Sequence, residues 1–146
     1  ARASFSTFSV SPYWAANGVL VCNASGTQYI SETLLDAAGN LVLLWSDQRR
    51  GAGTADLYAQ KLDHTGAAQW SSGGAPIRVA NGAVGYVRAA SDGQGGILVV
   101  WQDSRADLSD AYAQRISSWG SSLWTAAAQV TPGGPAVAVD ASPTIA

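Results

Sequence analysis

The chain is poor in the residues that build metal, redox and disulfide sites. Its 146 residues include one cysteine, one histidine and no methionine. A single cysteine, Cys22, excludes an internal disulfide, and Cys22 with His64 supplies too few ligands for a zinc site. A catalytic thiol would need a partner base, and His64 is the only imidazole. We therefore expect Cys22 to be a buried small apolar residue and His64 to lie in an exposed turn.

Charge is also scarce, at 12% of residues against 47% apolar, with a net charge of −2. The eight basic residues are scattered from Arg2 to Arg115 and form no basic stripe, which argues against a nucleic-acid partner. The longest apolar runs, Leu41 to Trp45 and Ile97 to Trp101, are far shorter than the roughly 20 residues that cross a bilayer. We expect no membrane insertion and a packed core.

One motif occurs twice. Its two parts are Trp-x-Asp-x-Arg and Asp-x-Tyr-Ala-Gln followed by a basic residue, at 45–49 with 56–61 and at 101–105 with 110–115. The tryptophans are 101 − 45 = 56 positions apart and the tyrosines 112 − 58 = 54. A pattern that returns at this spacing predicts tandem structural repeats. We place full copies at 15–70 and 71–124, the end of another at 1–14 and the start of another at 125–146.

Each copy has the pattern of short strands. The run 41–45 has no polar alternation, so both of its faces should be buried, and 97–101 should behave alike. The segment 57–62 alternates and should be half buried. Gly, Asp and Asn mark turns at 36–40, 63–66 and 92–96. The prediction is an all-β chain of β-propeller blades, each of about four antiparallel strands, in an incomplete ring. A β-sandwich would not explain the period.

The second copy resembles blade repeats of large secreted bacterial proteins. The likeness is carried by Asp92-Gly93, Gly95-Gly96, the two motif parts and Leu123-Trp124. The first copy departs from that pattern at Ala37, Lys61 and Gln69. The resemblance covers about 110 of the 146 residues. It implies a propeller fold and an extracellular or cell-surface location, and it implies no catalytic residue. From the residues themselves we expect no cofactor and no metal site.

The recurring aspartates are the strongest polar candidates. Asp47 with Arg49, and Asp103 with Arg105, lie two residues apart on a strand and so point to one side. They either line a binding mouth or hold a hairpin closed through turn amides. Recurrence in both copies favours the structural role, and the same holds for Asp56 and Asp110. Glu32 has no acidic neighbour in sequence with which to form a hydrolytic pair. The turn 36–40 needs no calcium ion to form.

The six tryptophans divide into three groups. Trp45 and Trp101 end buried runs and belong to the core. We assign the motif residues Tyr58 and Tyr112 a structural role in the repeat. Trp70, Trp124 and Trp14 share one repeat position and should pack between repeats. Trp119 has no counterpart, because the first copy has Thr65 there. It is the best candidate for a contact surface, unless it folds back on its own hairpin. We add Arg50 and Arg105 as candidate contacts.

These observations predict an extracellular propeller repeat module for protein–protein interaction or surface assembly, rather than an enzyme. One alternative is a propeller lectin that stacks aromatic residues on glycans. Another is a fragment of a propeller hydrolase. The expected partners are proteins, further copies of the chain, or the rest of a longer chain. The absence of a starting Met indicates a processed or excised chain. A lone chain would leave apolar faces, such as those near Val137 and Val139, uncovered.

Overall fold

The structure is a computed structural model that describes residues 14–104, 110–125 and 128–130. Arg105 and most of the two partial copies (residues 1–13, 126–127 and 131–146, with Val137 and Val139) lie outside the described residues. Within them there are eight strands and no helix. The strands are β1 (Gln28–Leu35), β2 (Leu41–Asp47), β3 (Asp56–Leu62), β4 (Ala75–Arg78), β5 (Val84–Ser91), β6 (Ile97–Asp103), β7 (Asp110–Ile116) and β8 (Ala128–Val130).

The strands form two antiparallel sheets, and each sheet follows chain order. Sheet A is β1-β2-β3-β4, and sheet B is β5-β6-β7-β8. Asp47 lies opposite Asp56 in sheet A, and Asp103 lies opposite Asp110 in sheet B, so the registers of the central hairpins match. The all-β prediction is confirmed, with two antiparallel sheets and no closed ring among the described residues.

A single apolar core joins the two sheets. Its members come from β2 to β4 and Trp70 on one side and from β5 to β7 on the other. The first strands, β1 and β5, lie beside each other. Alternation places Val42 and Leu44 on the side of sheet A that faces sheet B, which we call the downstream face. Ile97, Val99 and Trp101 lie on the upstream face of sheet B, which packs against it.

Strand β3 is more buried than its alternating sequence predicted. All seven of its residues are buried, whereas a half-buried strand was expected. Its polar residues satisfy their hydrogen bonds inside the protein. The Lys61 Nζ donates to the Gly95 carbonyl of sheet B at 2.9 Å, and Gln60 bonds the backbone of Trp70. Polar residues in a strand therefore did not mark a solvent face here.

Strand β6 shows the opposite departure. The unbroken run Ile97 to Trp101 predicted burial on both faces, but Leu98 is 41% exposed and Val100 is 49% exposed. Their counterparts 56 positions earlier, Val42 and Leu44, are both 0% exposed. The difference follows from packing, because sheet B covers Val42 and Leu44 whereas no described sheet covers Leu98 and Val100.

Three hairpin turns share one aspartate geometry. The Oδ1 atoms of Asp36, Asp63 and Asp92 each accept two backbone N–H bonds, from residues two and four positions later, at 2.8 to 3.0 Å. Burial alone would raise the pKa of Asp36 and Asp92, but hydrogen bonds to the ionised carboxylates outweigh it and lower both. The hydroxyl of Thr65 is the main cause of the lowered pKa of Asp63.

The lowered pKa values of these three aspartates predict that the protein loses stability in acid. An aspartate with a folded pKa below its unfolded value of about 3.9 stabilises the fold above that value, and this contribution disappears as pH falls through the folded pKa. The free energy of unfolding should therefore stay level from pH 7 to about 5 and fall below about pH 4. Urea unfolding at pH 7, 5 and 3 measures it, and Asp92→Asn should flatten part of the fall. A protein as stable at pH 3 as at pH 7 would contradict the prediction.

Candidate functional site: buried polar groups and stacking surfaces

Asp47 is the centre of a buried polar network in sheet A. Its Oδ2 accepts the Trp45 indole N–H and the Arg49 Nη2, each at 2.7 Å, and its Oδ1 accepts the Arg49 backbone N–H at 2.8 Å. Burial favours a raised pKa for Asp47, but the hydrogen bonds from Arg49 and Trp45 outweigh burial and lower it. Asp47 therefore binds its own Arg49, and its carboxylate is fully buried. Such a group cannot reach a solvent-borne ligand.

Arg49 also covers an aromatic pair. Its guanidinium carbon lies 3.7 Å from the centre of the Tyr58 ring, and Tyr58 stacks on Trp45 with centroids 6.3 Å apart. The Arg49 Nη2 further donates to the Gly73 carbonyl at 2.8 Å and contacts the Cys22 sulfur at 3.4 Å. Trp101 and Tyr112 repeat the aromatic stack in sheet B at 6.0 Å. The tryptophan and tyrosine of the motif therefore stack on each other in both sheets.

Asp103 binds an arginine of the neighbouring sheet. The Arg78 Nε donates to Oδ2 at 2.8 Å and the Arg78 Nη2 to Oδ1 at 2.6 Å, and both side chains are buried. We expected Asp103 to pair with Arg105, which lies outside the described residues. No sequence pattern indicated Arg78, because its counterpart in the first copy is Cys22. This bidentate ion pair ties β4 of sheet A to β6 of sheet B.

Asp56 is held by Arg50 in a second bidentate pair, with bonds of 2.6 and 2.7 Å. Arg50 also donates to the Ala80 carbonyl at 2.8 Å. Asp56 is fully buried, and Asp110, its counterpart, is half-buried opposite Asp103. Arg50 was predicted as a partner contact. In the structure it binds the buried carboxylate of Asp56, and the Arg50 side chain remains partly exposed.

Trp70 closes the junction between the sheets. Its indole N–H donates to the Ser118 carbonyl at 2.9 Å, and its ring packs so closely over Gly120 that a Cβ there would lie 2.8 Å away. Gly120 also has a φ of +84°, which favours glycine. We call this contact the tryptophan clasp. It joins the end of one motif copy to a turn of the next.

The same clasp occurs one repeat earlier in the chain. The Trp14 indole N–H donates to the His64 carbonyl at 3.2 Å, and Trp14 and Val19 contact Gly66, whose φ is +85°. Trp14 corresponds to Trp70, and Gly66 corresponds to Gly120. Trp14 and Trp70 thus make the inter-element contacts expected of this position. Trp124, the third member, is 38% exposed, whereas Trp70 is 6% exposed.

Two glutamines of the motif have a role that the sequence reasoning missed. The Gln60 Oε1 accepts the backbone N–H groups of Lys61 and Trp70 at 2.9 Å, and its Nε2 donates to the Ser71 carbonyl at 2.9 Å. Gln114 makes similar bonds with Arg115 and Trp124. Each glutamine positions the tryptophan ten residues later. Its recurrence in both Tyr-Ala-Gln segments was the available signal.

Two aromatic residues stand out on the surface. Trp119 is 82% exposed in the turn that holds Ser118 and Gly120, so the alternative in which it folds back on its hairpin is wrong. Tyr86 is also 82% exposed, at an irregularity in β5, and has a φ of +48°. A bulky residue with a positive φ is uncommon and strained. Exposed rings of this size are available for contact with another molecule.

The remaining candidates for chemistry form no cluster among the described residues. Cys22 is half-buried rather than buried as expected, beside Arg49. In the part of the chain that the structure describes, no three His, Cys, Asp or Glu side chains are grouped to hold a metal ion. The same residues include no helix with the length and apolarity to cross a membrane.

Comparisons with known proteins found no relative. No protein-family model matches the chain, and no curated protein or solved structure is similar to it at the level that would indicate kinship. The function must therefore be inferred from the faces and networks described above.

Proposed function

We propose that the chain is a β-propeller repeat module, exposed outside the cell, that serves protein–protein interaction or structural assembly. Sheets A and B are in this view two successive blades. The observation that carries the proposal is the contrast between the buried pair Val42 and Leu44 and the exposed pair Leu98 and Val100 at the equivalent positions. This contrast favours a function in assembly, in which one sheet packs against the next, over a catalytic function.

The polar groups support this proposal over catalysis. Asp47, Asp56 and Asp103 are buried and engaged by arginines, so none is placed to exchange a proton with a substrate. The equivalent aspartates recur in both sheets, as hydrogen-bonding residues of a scaffold do.

An extracellular location is consistent with the composition and with the resemblance to secreted repeats. The low charge and the many turn glycines suit a rigid scaffold, and the single cysteine leaves packing and ion pairs to stabilise it. Arg78 with Asp103 and the tryptophan clasp supply that stabilisation between the sheets. The scaffold then presents Trp119 and Tyr86 on loops and strand edges, where binding residues are commonly found.

Assembly and the role of Trp119 are tested together by light scattering. The folded unit should have a mass above that of the 15.0 kDa chain, because the described residues leave Leu98 and Val100 exposed on the downstream face of sheet B. Trp119→Thr, which installs the residue of the first copy, should weaken self-association and leave the circular dichroism unchanged. Thr65→Ser is the matched control at the equivalent turn. A folded chain that remains at 15.0 kDa at every protein concentration, or unaltered association of Trp119→Thr, would count against the proposal.

A carbohydrate-binding propeller is the second candidate, favoured by the exposure of Trp119 and Tyr86. Exposed rings provide apolar surfaces on which sugars stack. A glycan array probed with the parent chain and with Tyr86→Ala separates the two functions. Binding that depends on Tyr86 would favour the lectin, and an array without signal would favour assembly.

A further inference from the structure

The downstream face of sheet B has the composition of an interface. Its residues, by strand register and alternation, include Leu98, Val100, Ala111, Ala113 and Arg115. The equivalent residues of sheet A are Val42, Leu44, Leu57, Ala59 and Lys61, and every one of them is buried. None of the five on sheet B is buried. The two faces therefore match in position and differ in whether a neighbour covers them.

The neighbour of sheet A shows what such a face accepts. Its downstream face is covered by the upstream face of sheet B, on which Ile97, Val99 and Trp101 are each at most 2% exposed. Polar contacts fix the orientation of that junction. They are the ion pair of Arg78 with Asp103, and the bond from the Lys61 Nζ to the Gly95 carbonyl.

We propose that the downstream face of sheet B binds one further sheet of this same repeat, presented by an upstream face like that of sheet B. This inference rests on the proposed function and names its partner. The partner is defined by its chemistry: a four-stranded antiparallel sheet with aliphatic residues at the positions of Ile97 and Val99 and a tryptophan at that of Trp101. Its strand-linking turn would offer a backbone carbonyl equivalent to that of Ser118.

Two residues at the edges of the downstream face of sheet B are already positioned for this contact. Trp124 occupies the position of Trp70, and Gln114 holds its backbone as Gln60 holds that of Trp70. Its backbone is therefore held in the position from which Trp70 makes its clasp. Arg115 contacts Asp92 at 3.0 Å, as Lys61 contacts Asp36 at 3.4 Å, and it remains partly exposed. Arg115 therefore occupies the position equivalent to that of Lys61, whose Nζ bonds the next sheet.

The face favours a protein sheet over a sugar. Leu98 and Val100 are aliphatic, and alanines accompany them on β7, so the described centre of the face offers no aromatic ring for stacking. An apolar sheet face is instead complementary to the apolar face of another sheet. The internal junction of sheets A and B is the example of that complementarity within this chain.

Cysteine labelling tests the inference in a chain extended by one repeat. A copy of residues 71–124 is inserted after Trp124, which keeps the register because Trp70 is followed by Ser71. In a Cys22→Ala background, Leu98→Cys or Val42→Cys is introduced into the parent and extended chains, and the rate of maleimide labelling is measured. Val100→Cys and Leu44→Cys form a second pair in case a first variant fails to fold.

In the parent chain, diluted until light scattering gives the mass of the single 15.0 kDa chain, Leu98→Cys should label rapidly and Val42→Cys about 100-fold more slowly. In the extended chain, Leu98→Cys should become as slow as Val42→Cys, while the same substitution made in the inserted copy instead should label rapidly. Rapid labelling of Leu98→Cys in the extended chain, with Val42→Cys protected, would overturn this inference alone. Rapid labelling of Val42→Cys in the parent would instead overturn the stacking on which the proposed function rests.

Discussion

Replacing Arg78 with methionine should lower the free energy of unfolding by about 3–5 kcal/mol, because it leaves the buried carboxylate of Asp103 without its bidentate partner. Both side chains are almost inaccessible to solvent, so water cannot replace the lost bonds. Arg78 also donates to the carbonyls of Ala80 and Asn81, which would lose this donor as well. The measurement is urea unfolding followed by tryptophan fluorescence.

The matched control is Arg88→Met. Arg88 is largely exposed and lies 3.8 Å from Glu32, so its loss should cost at most about 1 kcal/mol. The double variant Arg78→Met with Asp103→Leu should recover much of the lost stability, because it removes both buried charges together. If Arg78→Met unfolds at the same urea concentration as Arg88→Met, the ion pair does not join the sheets.

Replacing Trp70 with alanine should cost about 3–5 kcal/mol, because it leaves a cavity at the junction of the sheets and removes the clasp. The ring packs on Gly120, and a glycine has no side chain to fill the vacated space. Thermal unfolding of Trp70→Ala gives the value directly.

Trp124→Ala is the internal control for Trp70→Ala. It removes the same side chain at the equivalent position, where the ring is 38% exposed. The transfer and cavity contributions should both be smaller, so we expect a loss of at most about half that of Trp70→Ala. Equal losses would show that the two tryptophans have the same surroundings and that the asymmetry between the sheets is absent.

Local patterns in the sequence were sufficient to predict the four strands of the two central hairpins. The aspartate and glycine turns and the apolar runs place β2, β3, β6 and β7 close to where the structure has them. The pairing of Asp47 with Arg49 was also visible from their spacing of two residues, although β2 ends at Asp47 and Arg49 lies in the turn that follows. These features depend on residues near each other in the chain, where spacing determines which side chains share a face.

Contacts between the sheets were not predictable in the same way. Arg78 reaches Asp103 across 25 positions, and its counterpart Cys22 carries no sign of a charge at that place. The burial of a strand face likewise depends on whether a neighbour covers it. Leu98 and Val100 have the same apolar character as Val42 and Leu44, so only the structure distinguishes the covered pair from the uncovered one.

The stacking of the two sheets through Trp70 is the claim on which the account depends, and a nuclear Overhauser spectrum of the isotopically labelled chain tests it most directly. We expect cross-peaks from the Trp70 indole protons to the α-protons of Gly120, with a matching set from Trp14 to Gly66. A spectrum in which Trp70 shows no cross-peak to the turn at 117–121, in a chain that is otherwise folded, would contradict it.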